Sequence, residues 1–140
     1  MQGIQYTSTK TKFRLKEKER ITIWLEHLIG TKHKFPGDLT FIFCSDEYLL
    51  GINKQYLAHD ELTDIITFNY NDGHYISGDI FISVDRVKEN AAQYKTTFEE
   101  ELHRVMAHGV LHLLGYNDKT KADAAEMRKM EGFALQLLGK

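Results

Sequence analysis

The spacing of apolar residues changes several times along this chain, and these changes restrict the fold more than any other feature. Over residues 21–29 apolar side chains recur every three or four positions, which predicts an amphipathic helix with Gly30 just past its end. Over residues 39–44 the chain is β-branched and aromatic, which predicts a strand preceded by a turn at Pro36-Gly37. Helical and strand patterns continue to interleave, so we expect an α+β fold with a small sheet packed on helices.

The remaining elements are predicted from the same two patterns and from capping residues. Strands are expected at 4–7, 65–70 and 79–84, and the second and third of these are expected to form a hairpin. Helices are expected at 85–95, from Thr97 to Leu114, and from Thr120 onward. A further helix is expected after Ser45, with an apolar face made of Leu49, Ile52 and Tyr56.

Length and composition indicate one soluble domain spanning residues 1–140. A chain of 140 residues matches the usual size of a single domain and can bury a core without covalent cross-links. The single cysteine, Cys44, cannot form an internal disulfide and is expected to be buried in a strand, which fits a reducing compartment. We find neither a signal-peptide pattern nor an apolar run of membrane-spanning length, so we expect a cytoplasmic protein without membrane association.

The overall charge argues mildly against nucleic acid as a partner. The chain carries 18 lysine and arginine residues against 20 aspartate and glutamate residues, a formal net charge of −2, whereas phosphate-binding proteins usually carry excess positive charge. Six basic residues nevertheless fall within positions 10–20. This segment indicates either a basic surface stripe or the solvated start of a helix, and we favour the second interpretation.

The segment from His108 to Asp118 carries the main chemical signal. Residues four apart share a helix face, so His108 and His112 can present two imidazoles to one ion. Gly115 allows the chain to turn back after the helix and to bring Asp118 round as a third ligand. Imidazole and carboxylate together suit zinc and related divalent metals, and three protein ligands leave a position for water, as in catalytic sites.

Other features of the same helix bear on the interpretation of this segment as a metal site. A histidine pair four residues apart also occurs by chance on helices, but the glycine and carboxylate that follow favour a metal site. Gly109 stands where helical zinc peptidases carry their general-base glutamate, which speaks against a peptidase and leaves a metal hydrolase open. His103 lies on the same helix but off the face of the two histidines, so we expect it at the surface.

The segment that begins at His108 resembles the metal-binding helix of the YbeY-type endoribonucleases, the rRNA-maturation factors of bacteria, which reads His-Gly-x-x-His-x-x-Gly-Tyr-Asp-His. Three further blocks are similar to that family in order and spacing: Asn53-Lys-Gln-Tyr56, Thr63-Asp64-Ile65-Ile66-Thr67-Phe68 and Gly78-Asp79-Ile80. Two positions depart from the family pattern. Asp118 stands where the family usually has a third histidine, and Leu57 stands where it commonly has an arginine after the tyrosine.

The resemblance implies an α+β fold with a small mixed sheet and one zinc ion, or another divalent metal, held by three side chains. It also implies single-strand-specific RNA cleavage in rRNA processing, including 16S rRNA 3′-end maturation and late ribosome quality control, with rRNA and ribosomal subunits as partners. Beside the metal, the candidates to orient a ligand or water are Thr63, Asp64 and Asp79. The candidates for a substrate cleft are Asn53, Tyr56 and Leu57. The general base stays unassigned.

Three functions are open on these grounds. The leading hypothesis is a metal-dependent RNA hydrolase, in which the ion lowers the pKa of bound water and polarises a phosphoryl oxygen. The second is a ribosome-assembly factor that binds RNA or protein with little nuclease activity, because Leu57 cannot form the bidentate phosphate contact of an arginine. The third is a metallopeptidase, suggested by the ligand spacing and opposed by Gly109.

Overall fold

A computed structural model describes residues 3–57 and 62–139 of the chain, and four strands in these residues form one mixed sheet. The strands are β1 (Ile4–Ser8), β2 (Phe35–Cys44), β3 (Ile65–Asn69) and β4 (Tyr75–Ser83). Their order is β1-β2-β4-β3, in which β2 pairs in parallel with both β1 and β4, and β3 pairs antiparallel with β4. The predicted α+β class and the β3–β4 hairpin are therefore confirmed.

Five helices cover the two faces of this sheet in the described part of the chain: α1 (Lys18–Gly30), α2 (Asp46–Leu57), α3 (Val84–Gln93), α4 (Phe98–Leu113) and α5 (Lys121–Leu137). Side chains of a strand alternate between the faces, so each face has its own apolar cluster. The larger cluster joins the sheet to α1, α3, α4 and α5. The smaller one lies under α2 and consists of Cys44, Leu49, Ile52 and Ile66.

Helix α4 lies in the middle of the larger cluster and is buried along most of its length. Its start is fixed as the sequence predicts, because the Thr97 side chain accepts a hydrogen bond from the backbone N–H of Glu100 at 3.1 Å. The Thr120 side chain caps α5 in the same way by accepting from the backbone N–H of Asp123 at 3.0 Å. The side chains on α4 are thus positioned by a helix that is packed in the core and capped at its start.

Two predictions around the sheet are wrong. Pro36-Gly37 belongs to β2 and is not a turn before it, although the pairing with β4 is irregular between Pro36 and Leu39. A proline is tolerated at such an irregularity, and Gly37 permits a close approach of the Ser77 hydroxyl that any Cβ would block. Tyr56 lies outside the apolar face of α2 and is 62% exposed, and its ring forms a T-shaped pair with that of Phe68.

Two further predictions are wrong: that His103 lies at the surface, and that the basic segment at 10–20 is mainly the start of a helix. His103 is not at the surface but 5% exposed, since α4 is covered on several sides and the ring of Trp24 lies against the His103 ring at 5.9 Å. The basic segment is not mainly a helix start either. Helix α1 begins at Lys18, so four of the six basic residues precede it on irregular chain.

The structure confirms Cys44 as a buried strand residue. Burial, assisted by the nearby carboxylates of Asp46 and Asp85, raises the pKa of its thiol to about 12. Cys44 is therefore a thiol rather than a thiolate at neutral pH, and its side chain packs in the smaller apolar cluster. None of the helices in the described residues combines the length and the apolar character needed to cross a membrane.

Candidate metal centre

The C-terminal end of α4 and the turn after it bring three potential metal ligands together. His108 and His112 are one helical turn apart, with ring centroids separated by 4.5 Å. Gly115 has a φ of 104°, and the helix ends with hydrogen bonds from its N–H to the His112 carbonyl and from the Tyr116 N–H to the Leu111 carbonyl, both 3.0 Å long. This pair of bonds is the Schellman ending, which reverses the chain.

The reversal places Asp118 against both histidines. Its Oδ2 lies 3.3 Å from Nε2 of His108 and 3.4 Å from Nε2 of His112. One ligand atom from each residue lies within 4.8 Å of the other two. In a tetrahedral site with bonds of about 2.0–2.1 Å, ligand atoms are roughly 3.3 Å apart. The donor types and their spacing therefore fit a divalent ion.

A fourth residue, Glu131 on α5, orients the first histidine. Its Oε2 lies 2.6 Å from Nδ1 of His108, and the residue is only 5% exposed. Burial raises the pKa of Glu131, but hydrogen bonds from His108 and Arg104 outweigh this effect and leave the pKa below its usual value. Glu131 is thus an anion that accepts the Nδ1 proton, so Nε2 of His108 offers its lone pair to the ligand group.

Arg104 in turn holds Glu131. Its Nη1 donates to Oε1 of Glu131 at 2.8 Å, while its Nε and Nη2 donate to the two carboxylate oxygens of buried Glu101 at 2.9 and 2.7 Å. The hydrogen bond to Glu101 is the main reason why the pKa of Arg104 is raised, against the opposing effect of burial. Glu101, Arg104, Glu131 and His108 form one chain of charge-assisted hydrogen bonds, which we call the buried ion network.

The sequence patterns indicate the ligands but not the buried ion network. A signal for it exists, because Glu131 falls on the apolar face of α5 beside Met127, Met130 and Ala134. A carboxylate on a buried helix face needs a partner. The partners are 23 and 27 residues away on another helix, and no local spacing rule reaches that far.

A pocket of about 270 Å³ opens in front of the three ligands. Its other walls are formed by β3 with the residues before it and by α4, and they comprise Thr63, Asp64, Ile65, Thr67, Arg104 and Val105. Burial raises the pKa of Asp64, while the charges of Arg104 and His108 oppose this shift. The structure thus brings Thr63 and Asp64 to the same pocket as the ligands. Burial is the main reason why the pKa of His112 is lowered, and this favours the neutral imidazole that binds metals.

Asp79 does not join the site, contrary to the expectation that it lies near the metal. Its neighbour Gly78 faces α4, where a Cβ would come within 3.4 Å of Leu113. Since side chains alternate along β4, Asp79 points to the opposite face of the sheet from α4.

The candidate cleft residues divide into two environments. Asn53 is buried on α2, whereas Leu57 is 43% exposed. Both line a groove of about 400 Å³ together with Thr63, Ile65 and Thr67. These last three residues also line the metal pocket, so the groove and the pocket share a wall. Tyr56 is exposed and is not among the residues that line either space.

Gly109 faces the sheet and not the pocket. An added Cβ would lie 2.9 Å from Cδ1 of Ile65 and 2.9 Å from Cγ2 of Ile80. Helix α4 therefore packs so closely on the sheet that a Cβ at this position would force the side chains of Ile65 and Ile80 to shift. A general-base side chain at this position, as in helical zinc peptidases, has no space and would point away from the ligands.

We expect Gly109→Ala to lower the free energy of unfolding by about 1–2 kcal/mol, because overpacking at a helix–sheet contact outweighs the helix propensity gained. Gly132→Ala is the matched control, since it makes the same change in the middle of α5 with no atom within 4 Å of the new Cβ. It is expected to raise stability by about 0.5–1 kcal/mol. Urea unfolding of both variants tests this, and equal effects of the same sign would contradict the close contact.

Comparison with known proteins gives a consistent result over nearly the whole chain. The family model described as Endoribonuclease YbeY matches residues 4–139. A protein named Endoribonuclease YbeY from Flavobacterium johnsoniae is 52% identical over 122 residues, covering 87% of this chain and 88% of the relative. A protein of the same name from Parabacteroides distasonis is 48% identical, covering 87% and 86%. A solution structure of a Thermotoga maritima protein matches with a TM-score of 0.67 and 26% identity, covering 96% and 88%.

Proposed function

The chain belongs to the YbeY family of endoribonucleases, and from this premise we propose that it is a zinc-dependent enzyme that cleaves single-stranded RNA. We further propose that its substrate is rRNA, that it acts on the 16S 3′ end and in late ribosome quality control, and that it meets ribosomal subunits in the cytoplasm. The observation that carries the proposal is the cluster of His108, His112 and Asp118, whose ligand atoms lie within 4.8 Å of one another beside a pocket.

His108, His112 and Asp118 would hold the ion through two imidazole nitrogens and one carboxylate oxygen, a donor set that suits zinc. Once bound, zinc supplies a Lewis acid that polarises a phosphoryl oxygen and lowers the pKa of water. The protein contributes the orientation of the donors. Glu131 keeps the proton of His108 on Nδ1, and Arg104 keeps Glu131 in place.

The pocket walls would position the substrate. The Thr63 hydroxyl and the Asp64 carboxyl line the pocket and can form hydrogen bonds with water or with RNA oxygens. Arg104 also lines the pocket, beside the two histidines. Three of its five N–H groups are used by Glu101 and Glu131, and the other two would be the donors to a phosphate oxygen.

Elemental analysis combined with paired cleavage assays tests the proposed function. Purified protein should contain about one equivalent of zinc, cleave single-stranded RNA, leave casein intact, and lose activity with a chelator. In a strain that lacks the protein, mapping of rRNA 3′ ends should find unprocessed 16S rRNA. Chelator-sensitive cleavage of casein without cleavage of RNA would overturn the proposal in favour of a peptidase.

Leu57→Arg is expected to raise RNA cleavage about tenfold. A charge-assisted contact with phosphate contributes on the order of 1.5–3 kcal/mol, and about 1.4 kcal/mol corresponds to a factor of ten. Leu57 is 43% exposed on the groove that shares a wall with the metal pocket, so an arginine can extend there without entering the core. The measurement is kcat/KM on single-stranded RNA at several salt concentrations, and the gain should shrink as salt rises.

Ile23→Arg is a suitable control for this gain. Ile23 is 66% exposed on α1 and does not line the groove, so Ile23→Arg adds the same charge away from the groove. An equal gain in both variants would indicate a general charge effect. Unchanged cleavage with a clearly lowered melting temperature in Leu57→Arg would show that Leu57 serves packing and that the cleft assignment is wrong.

A further inference from the structure

A second concave surface lies at the edge of the sheet opposite the metal pocket. It has a volume of about 500 Å³ and runs along β1 and the chain that follows it. We call it the β1 groove, and its lining comprises Tyr6, Thr7, Ser8, Thr11, Lys12, Phe13, Arg14, Leu15, Lys18 and Phe43. Strand β1 is one edge of the sheet, and β3, which contributes to the metal pocket, is the other. Three strand spacings, roughly 14 Å, separate these edges.

The charge of the β1 groove differs from that of the protein as a whole. The chain has a net charge of −2, yet no acidic residue is among those that line the groove, and Lys12, Arg14 and Lys18 are all exposed there. Within the described residues, none of these three cations forms an ion pair. Their neighbours Lys16 and Arg20 do, with Glu99 and Glu17 respectively. Positive charge is thus left uncompensated inside the groove.

The groove is built on a fixed base. Phe13 packs against Phe43 and Phe98 with ring centroids 4.9 and 5.8 Å away, and the Ser8 hydroxyl donates a hydrogen bond of 2.6 Å to the Phe13 carbonyl. These contacts tie the segment that carries Lys12 and Arg14 to the core. Of the other two aromatic rings that line the groove, Tyr6 stacks on Phe41 and Phe43 is buried, so the exposed polar groups of the groove are cations and hydroxyl groups.

We propose that the β1 groove binds the phosphate backbone of the single-stranded RNA whose cleavage is proposed above, at nucleotides away from the scissile bond. Cations together with hydroxyl groups match phosphate and sugar contacts that are independent of sequence. The inference rests on the proposed function for the choice of RNA over another polyanion. It follows that only an RNA long enough to extend from the metal pocket to the opposite sheet edge uses the groove.

The test compares Lys12→Gln/Arg14→Gln/Lys18→Gln with a control that removes three charges elsewhere, Lys88→Gln/Lys121→Gln/Lys129→Gln, which are exposed positions on α3 and α5. Fluorescence anisotropy with the metal-loaded protein and a 20-nucleotide 2′-O-methyl RNA, checked on a gel to remain intact, measures affinity against salt. We expect the groove variant to bind about tenfold or more weakly at low salt. Its salt slope should fall by about 2, since each phosphate contact on a single strand contributes roughly 0.7.

The kinetic counterpart separates the groove from the metal centre. The groove variant should raise KM for a long single-stranded RNA while kcat, and all constants for a dinucleotide, which is too short to reach from the metal pocket to the groove, stay at the wild-type value. Equal affinities and salt slopes for the groove and control variants would overturn the inference and leave the proposed nuclease function intact. Groove-dependent binding of polyglutamate as tight as that of RNA would also overturn it, in favour of an acidic protein partner. Failure of the wild type to cleave any RNA would count against the proposed function itself, whatever the binding result.

Discussion

Replacing His108 with alanine is expected to lower the rate of RNA cleavage by about a thousandfold and to remove most of the bound zinc. His108 contributes one of three ligand atoms that lie within 4.8 Å of one another, so its loss leaves only His112 and Asp118. A bound metal contributes several kcal/mol to transition-state stabilisation in hydrolytic sites, and about 4 kcal/mol corresponds to a factor of roughly a thousand. Zinc content by elemental analysis and kcat/KM on single-stranded RNA should fall together.

His27→Ala is the matched control for this prediction. His27 is an exposed histidine near the end of α1, and replacing it should leave zinc content and cleavage unchanged. Circular dichroism and thermal unfolding of both variants establish that they are folded. A folded His108→Ala protein that retains both zinc and activity would contradict the assignment of the metal centre to His108, His112 and Asp118.

Glu131→Gln is expected to weaken metal binding about 10- to 100-fold and to lower the free energy of unfolding by about 3 kcal/mol. Both carboxylate oxygens of Glu131 are acceptors, one for Nδ1 of His108 and the other for Nη1 of Arg104. Glutamine has the same shape but only one acceptor oxygen, so its NH₂ group must face one of these two donors. Breaking a buried charge pair of this kind is strongly destabilising, although Arg104 keeps its two bonds to Glu101.

Zinc titration against a competing chelator and thermal unfolding measure the two effects of Glu131→Gln. For a chain of this size the melting temperature should fall by roughly 10 °C. Glu126→Gln makes the same change at an exposed position of the same helix and should alter neither quantity. Normal zinc affinity in a destabilised Glu131→Gln protein would show that Glu131 serves stability alone and does not orient His108.

The convergence of His108, His112 and Asp118 could be predicted because their geometry is local. His108 and His112 are one helical turn apart, and the glycine ending at Gly115 reverses the chain within a few residues, so spacing alone indicates that Asp118 returns to the histidines. The same holds for the helix caps at Thr97 and Thr120, which depend on contacts three residues apart. Contacts of this kind can be predicted from the number of residues that separate the two groups in the sequence.

The residues that could not be predicted depend on contacts between distant segments. Glu131 meets Arg104 across 27 residues and only after α4 and α5 have packed together. Pro36-Gly37 has the composition of a turn, but pairing with β4 places it inside a strand. Side chains alternate along β4, and Gly78 is on the face that α4 covers, so Asp79 lies on the opposite face. Which face α4 covers is decided by packing and not by the local sequence. In each case tertiary packing overrides a local pattern.

The buried ion network also joins residues that are synthesised at different times. All three ligands precede α5 in the chain, whereas the carboxylate that orients His108 lies on α5, 23 residues later. A nascent chain that has just exposed Asp118 carries the donors but lacks both Glu131 and the apolar face of α5, including Met127 and Ala134, which completes the core. The carboxylate that orients His108 is therefore in place only once α5 has packed against α4.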